Sequence, residues 1–279
     1  IFMAHAELYI VLATAFAFFM SLGIGANDVA NTMGTSVGSK AITITQAIII
    51  AAVFEGLGAF LAGAQVTNTI RSQIFNVSTL AHNPQTLIFG MLSSLLSAGS
   101  WLIIATRCGW PVSTTHTIIG ALIGFALMVL GVHSIYWSQI TNIVLSWIVT
   151  PIIAGVISFA LFRSVQTLIF NAEYPIKSAK RYVPFYVFLV SFIFSLVTLF
   201  SGLKHVGLHL TSWQNMYIAV AFSCLCVLIS LFPLRKIPNK NPGTDHTTDY
   251  QLIEKSFGLL MVFTACALAF AHGSNDVAN

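Results

Sequence analysis

From Trp137 to Phe162 the chain runs 26 residues without one Asp, Glu, Lys, Arg or His. Similar runs recur along the sequence at about 20 residues each, the length a helix needs to cross ~30 Å of hydrocarbon. In lipid every backbone N–H and C=O must be satisfied inside the protein, so only helices and closed barrels can span a bilayer. Barrel strands would be shorter and would alternate in polarity. These runs do neither. Charged residues make up 7% of the chain, against about 25% in a soluble domain. The expected fold class is therefore an all-α polytopic membrane protein. The net charge of +4 does not point to nucleic acid, because the basic residues collect between the apolar runs, as membrane topology requires.

Eight spans are expected, at about 4–24, 41–64, 85–106, 111–131, 137–162, 183–201 and 213–234, with the last starting near 257. Segment 66–84 reads as a polar loop or partly re-entrant stretch. Residues 163–182 read as a basic connector, and 235–256, with seven charged residues, as the most soluble stretch. The Gly, Ser, Thr and Asn of Val29–Ser39 predict a helix break there. The first segment has no basic n-region and reads as a retained helix, not a signal peptide. With the N-terminus outside and every span crossing, ten Lys or Arg fall inside and only Arg71 and Lys204 outside. That bias fits the positive-inside rule.

Within this frame one heptapeptide occurs twice. Residues 25–31 read GANDVAN and residues 273–279 read GSNDVAN, at an offset of 248. The topology above puts the two copies on antiparallel helices. That is the mark of inverted-topology repeats, whose sites form near the midplane where broken helices meet.

Of the eight acids, Asp28, Glu55 and Asp276 lie within or at the inner end of apolar spans, while Glu7 stands near the start of the first. A carboxylate at the bilayer centre costs about 2.5–3.5 kcal/mol on insertion scales, so each calls for a function. Asp28 stands with Asn27 and Asn31, and Asp276 with Asn275 and Asn279. Such a set offers only oxygen ligands, which suit a hard cation such as Na⁺, or a titrating proton. Polar side chains can instead glue helices together, but that explains two matching copies poorly. Glu55 shares a helical face with Ala52, Gly56, Ala59 and Gly63, small residues that let helices approach. It reads as a proton or cation relay inside a packed interior, or as a protonated acid making one interhelical hydrogen bond.

A third motif, Trp110-Pro111-Val112-Ser113-Thr114-Thr115-His116, places Pro at an expected first helical turn. Three hydroxyls then follow at a helix N-terminus, where backbone donors and the helix dipole suit an anion. A capping Ser/Thr cluster is the plainer alternative.

GANDVAN, the stretch Glu55-Gly56-Leu57-Gly58-Ala59, PVSTTHTIIGALIG and AHGSNDVAN together resemble the inorganic phosphate transporter (PiT) family, in motif order and over essentially the whole chain. The resemblance implies a cation-coupled phosphate symporter of two inverted repeats, often a homodimer, working by alternating access. It implies that Asn27, Asp28, Asn31, Asn275, Asp276 and Asn279 bind the coupling cation, with Asp28 and Asp276 as Na⁺ ligands. It implies that Ser113, Thr114 and Thr115 hold phosphate on a hairpin-like broken helix, with Asp28 and Asp276 adjoining, and that Glu55 is the family's buried coupling acid. Phosphate, the coupling cation (Na⁺ or H⁺) and the lipid bilayer are the expected partners. No other cofactor, no nucleic acid and no enzymatic reaction are expected.

The expected organisation is a first repeat over 1–162, a cytoplasmic connector over 163–182, two further helices within 183–234, a cytoplasmic loop over 235–256 and the start of a second repeat at 257–279. Counterparts of Glu55 and Pro111 in that repeat would fall beyond residue 279, so the chain is expected to be part of a longer one. The expected location is a bacterial inner membrane. A sulfate transporter on the same fold remains an alternative, because sulfate and phosphate differ in whether the anion can donate a hydrogen bond. A channel is disfavoured by the internal, inverted symmetry. An intramembrane hydrolase with an Asp pair is disfavoured because it would not need the matched Asn residues.

Weaker signals complete the list. His205 and His209, at i and i+4, lack a third metal ligand. His116 and His272 adjoin the motifs and are read as hydrogen-bonding support. Asn76-Val77-Ser78 fits a glycosylation sequon. Cys108, Cys224, Cys226 and Cys266 read as small core residues, with no metal or disulfide spacing.

Overall fold

An apolar chain with so few charges has one way to satisfy its backbone, and the computed structural model is built of helices. It describes residues 6–63, 74–76, 80, 83–202, 210–236 and 246–277. Among the described residues eight α-helices occur: α1 (Ala6–Gly38), α2 (Ile44–Ala62), α3 (Pro84–Arg107), α4 (Thr114–Leu130), α5 (Trp137–Val165), α6 (Pro175–Val197), α7 (Ser212–Arg235) and α8 (His246–Asp276). π-helical turns extend α5 over Gln166–Phe170 and α6 over Thr198–Gly202. The one extended contact among the described residues is an isolated antiparallel bridge, Phe75 to Ile135.

Six of these helices (α1, α2, α3, and α5, α6 and α7) are long and apolar enough to cross a membrane, while α4 is apolar but shorter. α5 shows how far the surface is adapted to lipid. None of its most apolar 18-residue window is buried, and Ile148, Ile152, Val156 and Phe159 are exposed along its length. A helix apolar all round is stable in hydrocarbon, and this is an integral, multi-pass membrane protein.

The described chain divides into two compact units. The first holds residues 1–35, 51–144 and 269–279. Its core joins Met20 of α1, Ala98 and Leu102 of α3, Ile118, Leu122 and Ala126 of α4, and Phe75 and Ile135 of the bridge. The spacings of four put each set on one helix face. α1 and α3 meet through small residues: a Cβ added at Gly23 would lie 2.9 Å from Leu102 Cβ, and one at Gly99 would lie 2.7 Å from the Phe19 ring. Close approach at small residues is how helices pack where lipid removes the hydrophobic driving force.

The second unit holds residues 36–50 and 145–268. Its core is Ile176, Ala179, Val183, Tyr186 and Val187 of α6 with Ile169, Leu234 and Ile253. Buried serines line these helices without cost, because Ser191, Ser195 and Ser223 each donate to the carbonyl four residues back.

Several expectations need correction. α1 does not break over Val29–Ser39 but runs unbroken to Gly38. Thr32, a polar side chain within it, is absorbed by the helix itself, its Oγ1 donating to the Asp28 carbonyl at 2.7 Å, and just past the end Ser39 Oγ donates to the Ser36 carbonyl at 3.1 Å. α4 begins at Thr114, not at Pro111, because Ser113 is extended (φ −88°, ψ 124°) and caps it. Of the small residues expected to pack beside Glu55, Ala52 and Gly56 are exposed while Gly63, just past the end of α2, is buried; Gly58, outside that set, packs against α8. The basic segment 163–182 is helical except for residues 171–174. Cys108 and Cys224 are exposed, not core residues; Cys108 is the C-cap of α3. Arg71, Lys204, His205, His209, Asn279 and the Val77 and Ser78 of the sequon lie outside the described residues.

Candidate functional site

The site is assembled in the first unit, around the turn between α3 and α4. α3 ends in a Schellman motif: Trp110 N–H donates to the Ala105 carbonyl at 2.8 Å, Gly109 N–H to the Thr106 carbonyl at 3.1 Å, and Gly109 takes φ +69°. A left-handed residue at that position favours glycine, and Pro111 then prevents the helix from resuming. Ser113 restarts it by accepting from His116 N–H at 3.3 Å. The result is an α3–α4 hairpin of packed helices with a tight polar turn.

Asn27 of α1 holds that turn. Its Nδ2 donates to the Trp110 carbonyl at 3.0 Å and, at 3.4 Å, to Thr106 Oγ1. Its Oδ1 accepts from Val112 N–H at 3.3 Å and from Asn31 Nδ2 at 3.1 Å. Asn27 is 5% exposed, so these bonds satisfy a carboxamide that would be costly to leave unpaired.

One turn away, α8 supplies the second heptapeptide. Its approach is made by glycines: a Cβ at Gly273 would collide with the Glu55 backbone, and one at Gly58 with the Phe270 carbonyl. The carboxylates of Asp28 and Asp276 and a ring nitrogen of His272 then converge, their ligand atoms all within 4.8 Å of one another. Two unit charges that close repel by roughly 3–4 kcal/mol at an effective dielectric of about 20, so the pair calls for a cation or proton between them. Thr114 Oγ1 donates to Asp276 Oδ1 at 3.1 Å. His272 Nδ1 stands 4.0 Å from Asp276 Oδ2 and 3.1 Å from Thr32 Oγ1.

The Thr32 contact fixes the histidine tautomer. Thr32 has one hydroxyl proton, and it goes to the Asp28 carbonyl at 2.7 Å, an oxygen that can only accept. Thr32 therefore offers His272 a lone pair, and His272 Nδ1 carries the proton.

A cavity of about 340 Å³ opens here, lined by Asp28, Asn31, Pro111, Val112, Ser113, Thr114, Thr115, His272, Asn275 and Asp276. Residues singled out from the sequence thus meet in one place, drawn from α1, the hairpin and α8. Asn27 and Glu55 do not line it. Asn27 is committed to the turn. Glu55 sits on α2 where Gly273 packs, with Oε1 buried and without a hydrogen-bond partner among the described residues. His116 lies in a separate groove of about 730 Å³ between α3 and α4, with Ser93, Ser97, Gly120 and Gly124. The sequence reading gives His272 only a supporting role, yet it lines the cavity. Its position four residues before Asp276 was the available signal, since i and i+4 share a helix face. The part played by Thr106 and Thr32 carried no signal.

The chain is similar to several known proteins. A Haemophilus influenzae protein titled “Putative phosphate permease” is 50% identical over 271 residues, covering 96% of this chain and 63% of its own length. “Inorganic phosphate transporter 2-1, chloroplastic” of Arabidopsis thaliana is 36% identical over 279 residues, 95% of this chain and 48% of the relative. A solved structure titled “The sodium-dependent phosphate transporter” superposes with a TM-score of 0.85 at 37% identity, covering 97% of this chain and 65% of that one. The chain thus spans less than two thirds of the length of these relatives. A family model described as the phosphate transporter family, a family of transporters and not of enzymes, matches residues 24–279. By that match over most of its length, this chain belongs to the phosphate transporter family.

Proposed function

We propose that the full-length protein containing this chain is a secondary transporter that carries inorganic phosphate across the membrane together with Na⁺, by alternating access. The observation that supports it most is the convergence of Asp28 and Asp276, one from each heptapeptide, on a cavity rimmed by Ser113, Thr114 and Thr115. Two carboxylates alone would repel an oxyanion. A cation between them removes that repulsion and links anion binding to cation binding. The hydroxyls at the start of α4, with the positive end of its dipole, face the anion. Asn31 and Asn275 add neutral oxygens to the cation shell, and Asn279 would do so from the second copy. Glu55 serves as the coupling acid behind α8. Na⁺ is preferred to H⁺ as the coupling ion because the solved relative is titled sodium-dependent.

The remaining organisation belongs to the same proposal: a first inverted repeat ending near 162, a second beginning near 257, the N-terminus outside a bacterial inner membrane, and a homodimer.

Radiolabelled phosphate uptake into proteoliposomes of the full-length protein tests this. Uptake should require an inward Na⁺ gradient at fixed pH and vanish in Asp28→Asn. Uptake driven only by a pH gradient would keep the site and change the ion. Sulfate accumulation without phosphate uptake would overturn the substrate.

A further inference from the structure

We infer that the start of α6 and the end of α7 form a docking surface for an anionic phospholipid, whose phosphate sits on Lys177 and Arg181 and whose acyl chain lies along Phe185. The surface belongs to the second unit. The inference stands apart from the cavity of the first unit and from what is transported there.

The packing of the two helices builds the surface. Ile176 and Ala179 of α6 are buried in one core with Leu234 of α7, so the first turns of α6 share a core with the last turn of α7. The residues that adjoin these core positions are basic. Lys177 and Arg181 stand on α6, and Arg235 and Lys236 follow Leu234; all four are exposed. None of the four makes an ion pair among the described residues. Glu173, before α6, and Glu254, beside Ile253 of the same core, are exposed and pair with none of them.

Membrane topology accounts for basic residues at such an end, but not for their place on the helix. Lys177, Arg181 and Phe185 are spaced by four and form one exposed row. Phe185 is 59% exposed, and Ile193 and Val197 carry the row further at 54% and 56%. From Pro175 onward α6 is apolar and long enough to cross a membrane. The cations therefore stand at the end of the span, at the level of lipid phosphates, and the apolar part of the row descends into hydrocarbon. Arg181 is held in place, because its Cζ lies 5.6 Å from the centroid of the Tyr182 ring, a cation–π distance. That contact leaves the N–H edge of the guanidinium for an anion. Tyr174, exposed just before α6, adds an aromatic ring of the kind enriched at the membrane interface.

This order of head and tail selects the ligand. A soluble oxyanion would use the cations and none of the apolar row. A zwitterionic lipid would bring a cation of its own to a basic patch. An anionic phospholipid suits both parts, with phosphate oxygens accepting from Lys177 and Arg181 and a chain against Phe185. Each Lys or Arg near an anionic lipid surface strengthens binding several-fold, and salt screens the effect.

The experiment uses the full-length protein, delipidated in detergent and titrated with cardiolipin, phosphatidylglycerol or phosphatidylcholine. Bound lipid is counted by native mass spectrometry, and melting is followed on the same samples. Wild type should bind the two anionic lipids about ten-fold or more tightly than phosphatidylcholine and melt higher with them. Lys177→Gln combined with Arg181→Gln should remove about ten-fold of that preference, while Lys177→Arg keeps it. Lys40→Gln combined with Arg107→Gln removes the same charge from exposed positions elsewhere, and should leave the preference unchanged within two-fold. If the first pair is not monodisperse, the single variants decide, each losing about three-fold or more.

Equal losses in the two pairs would overturn the inference, because net charge and not this surface would then set the preference. So would a wild type that binds the three lipids alike. Displacement of the anionic lipids by inorganic phosphate at matched ionic strength would show a soluble-anion site in place of a lipid surface. Phosphate uptake enters none of these readouts, so failure of the transport reading would leave them standing.

Discussion

Thr114 Oγ1 donates to Asp276 Oδ1 across 3.1 Å, joining the first residue of α4 to the last residue of α8, 162 positions apart. Thr114 is 3% exposed, and the bond is part-buried at the edge of the cavity that both residues line. A hydrogen bond to a charged group contributes about 1.5–3 kcal/mol. Thr114→Val preserves shape and removes the donor. It should therefore weaken Na⁺-dependent phosphate uptake by about ten-fold or more, while Thr114→Ser retains most of it. Uptake by the two variants across a Na⁺ titration checks this. Equal losses would place the effect in packing and not in the hydrogen bond.

Asn27 makes four hydrogen bonds, two of them to the main chain of the α3–α4 turn. It positions the Ser113–Thr115 segment without touching the cavity. Asn27→Ala removes the side-chain partner of the part-buried Trp110 carbonyl and Val112 N–H, at up to about 1 kcal/mol for each bond lost. Asn27→Asp sets a carboxylate against the Trp110 carbonyl and should be worse. Thermal melting in detergent should rank wild type above Ala above Asp, and phosphate affinity should follow the same order. An Asp variant as stable as wild type would contradict it.

Much of this was legible in the sequence, and the reasons differ by feature. The apolar runs fixed the helices because lipid leaves the backbone no alternative. The repeated Asn-Asp pair pointed to one site because a second buried acid of the same pattern is too costly to be incidental. What stayed hidden depended on contacts between distant segments. Gly, Ser, Thr and Asn in Val29–Ser39 suggest a break, yet Thr32 returns its hydroxyl to the helix and α1 continues to Gly38. Asn27 is locked to the α3–α4 turn, a contact 83 and 85 positions away that nothing in the motif itself announces. Which small residues of α2 pack is not legible in the sequence, because Gly58 and Gly56 look alike until α8 is in place.

Glu55 offers a test that separates function from packing. Its Oε1 is buried without a hydrogen-bond partner among the described residues, next to the Gly273 contact with α8. If the acid served only to hold α2 to α8, replacing it with an apolar residue of similar volume should be neutral or stabilising. We expect Glu55→Met to melt no lower than wild type and Glu55→Gln to stay folded, with both losing at least ten-fold in cation-driven uptake. Uptake and melting on the same samples decide. Full activity in Glu55→Met would remove the residue from the coupling machinery.

The glycines of α2 and α8 give the sharpest structural contrast. A methyl group at Gly58 would collide with the Phe270 carbonyl, and one at Gly273 with the backbone of Glu55, whereas one at Gly56 meets nothing within 4 Å. Main chain cannot move aside as a flexible side chain can, so the two crowded positions must push α2 and α8 apart. Overpacking of this kind costs about 1–3 kcal/mol. It would also displace Asp276 from Asp28, because α8 carries both the contact and the acid. At Gly56 the same substitution only removes glycine's excess freedom from a helix, a gain of up to about 1 kcal/mol. Gly58→Ala and Gly273→Ala should therefore lower the melting temperature and abolish uptake together, while Gly56→Ala raises the melting temperature slightly and leaves uptake intact. Three alanines in one helix pair, opposite in sign by position, can be produced only by an approach of α8 at Gly58 and Gly273.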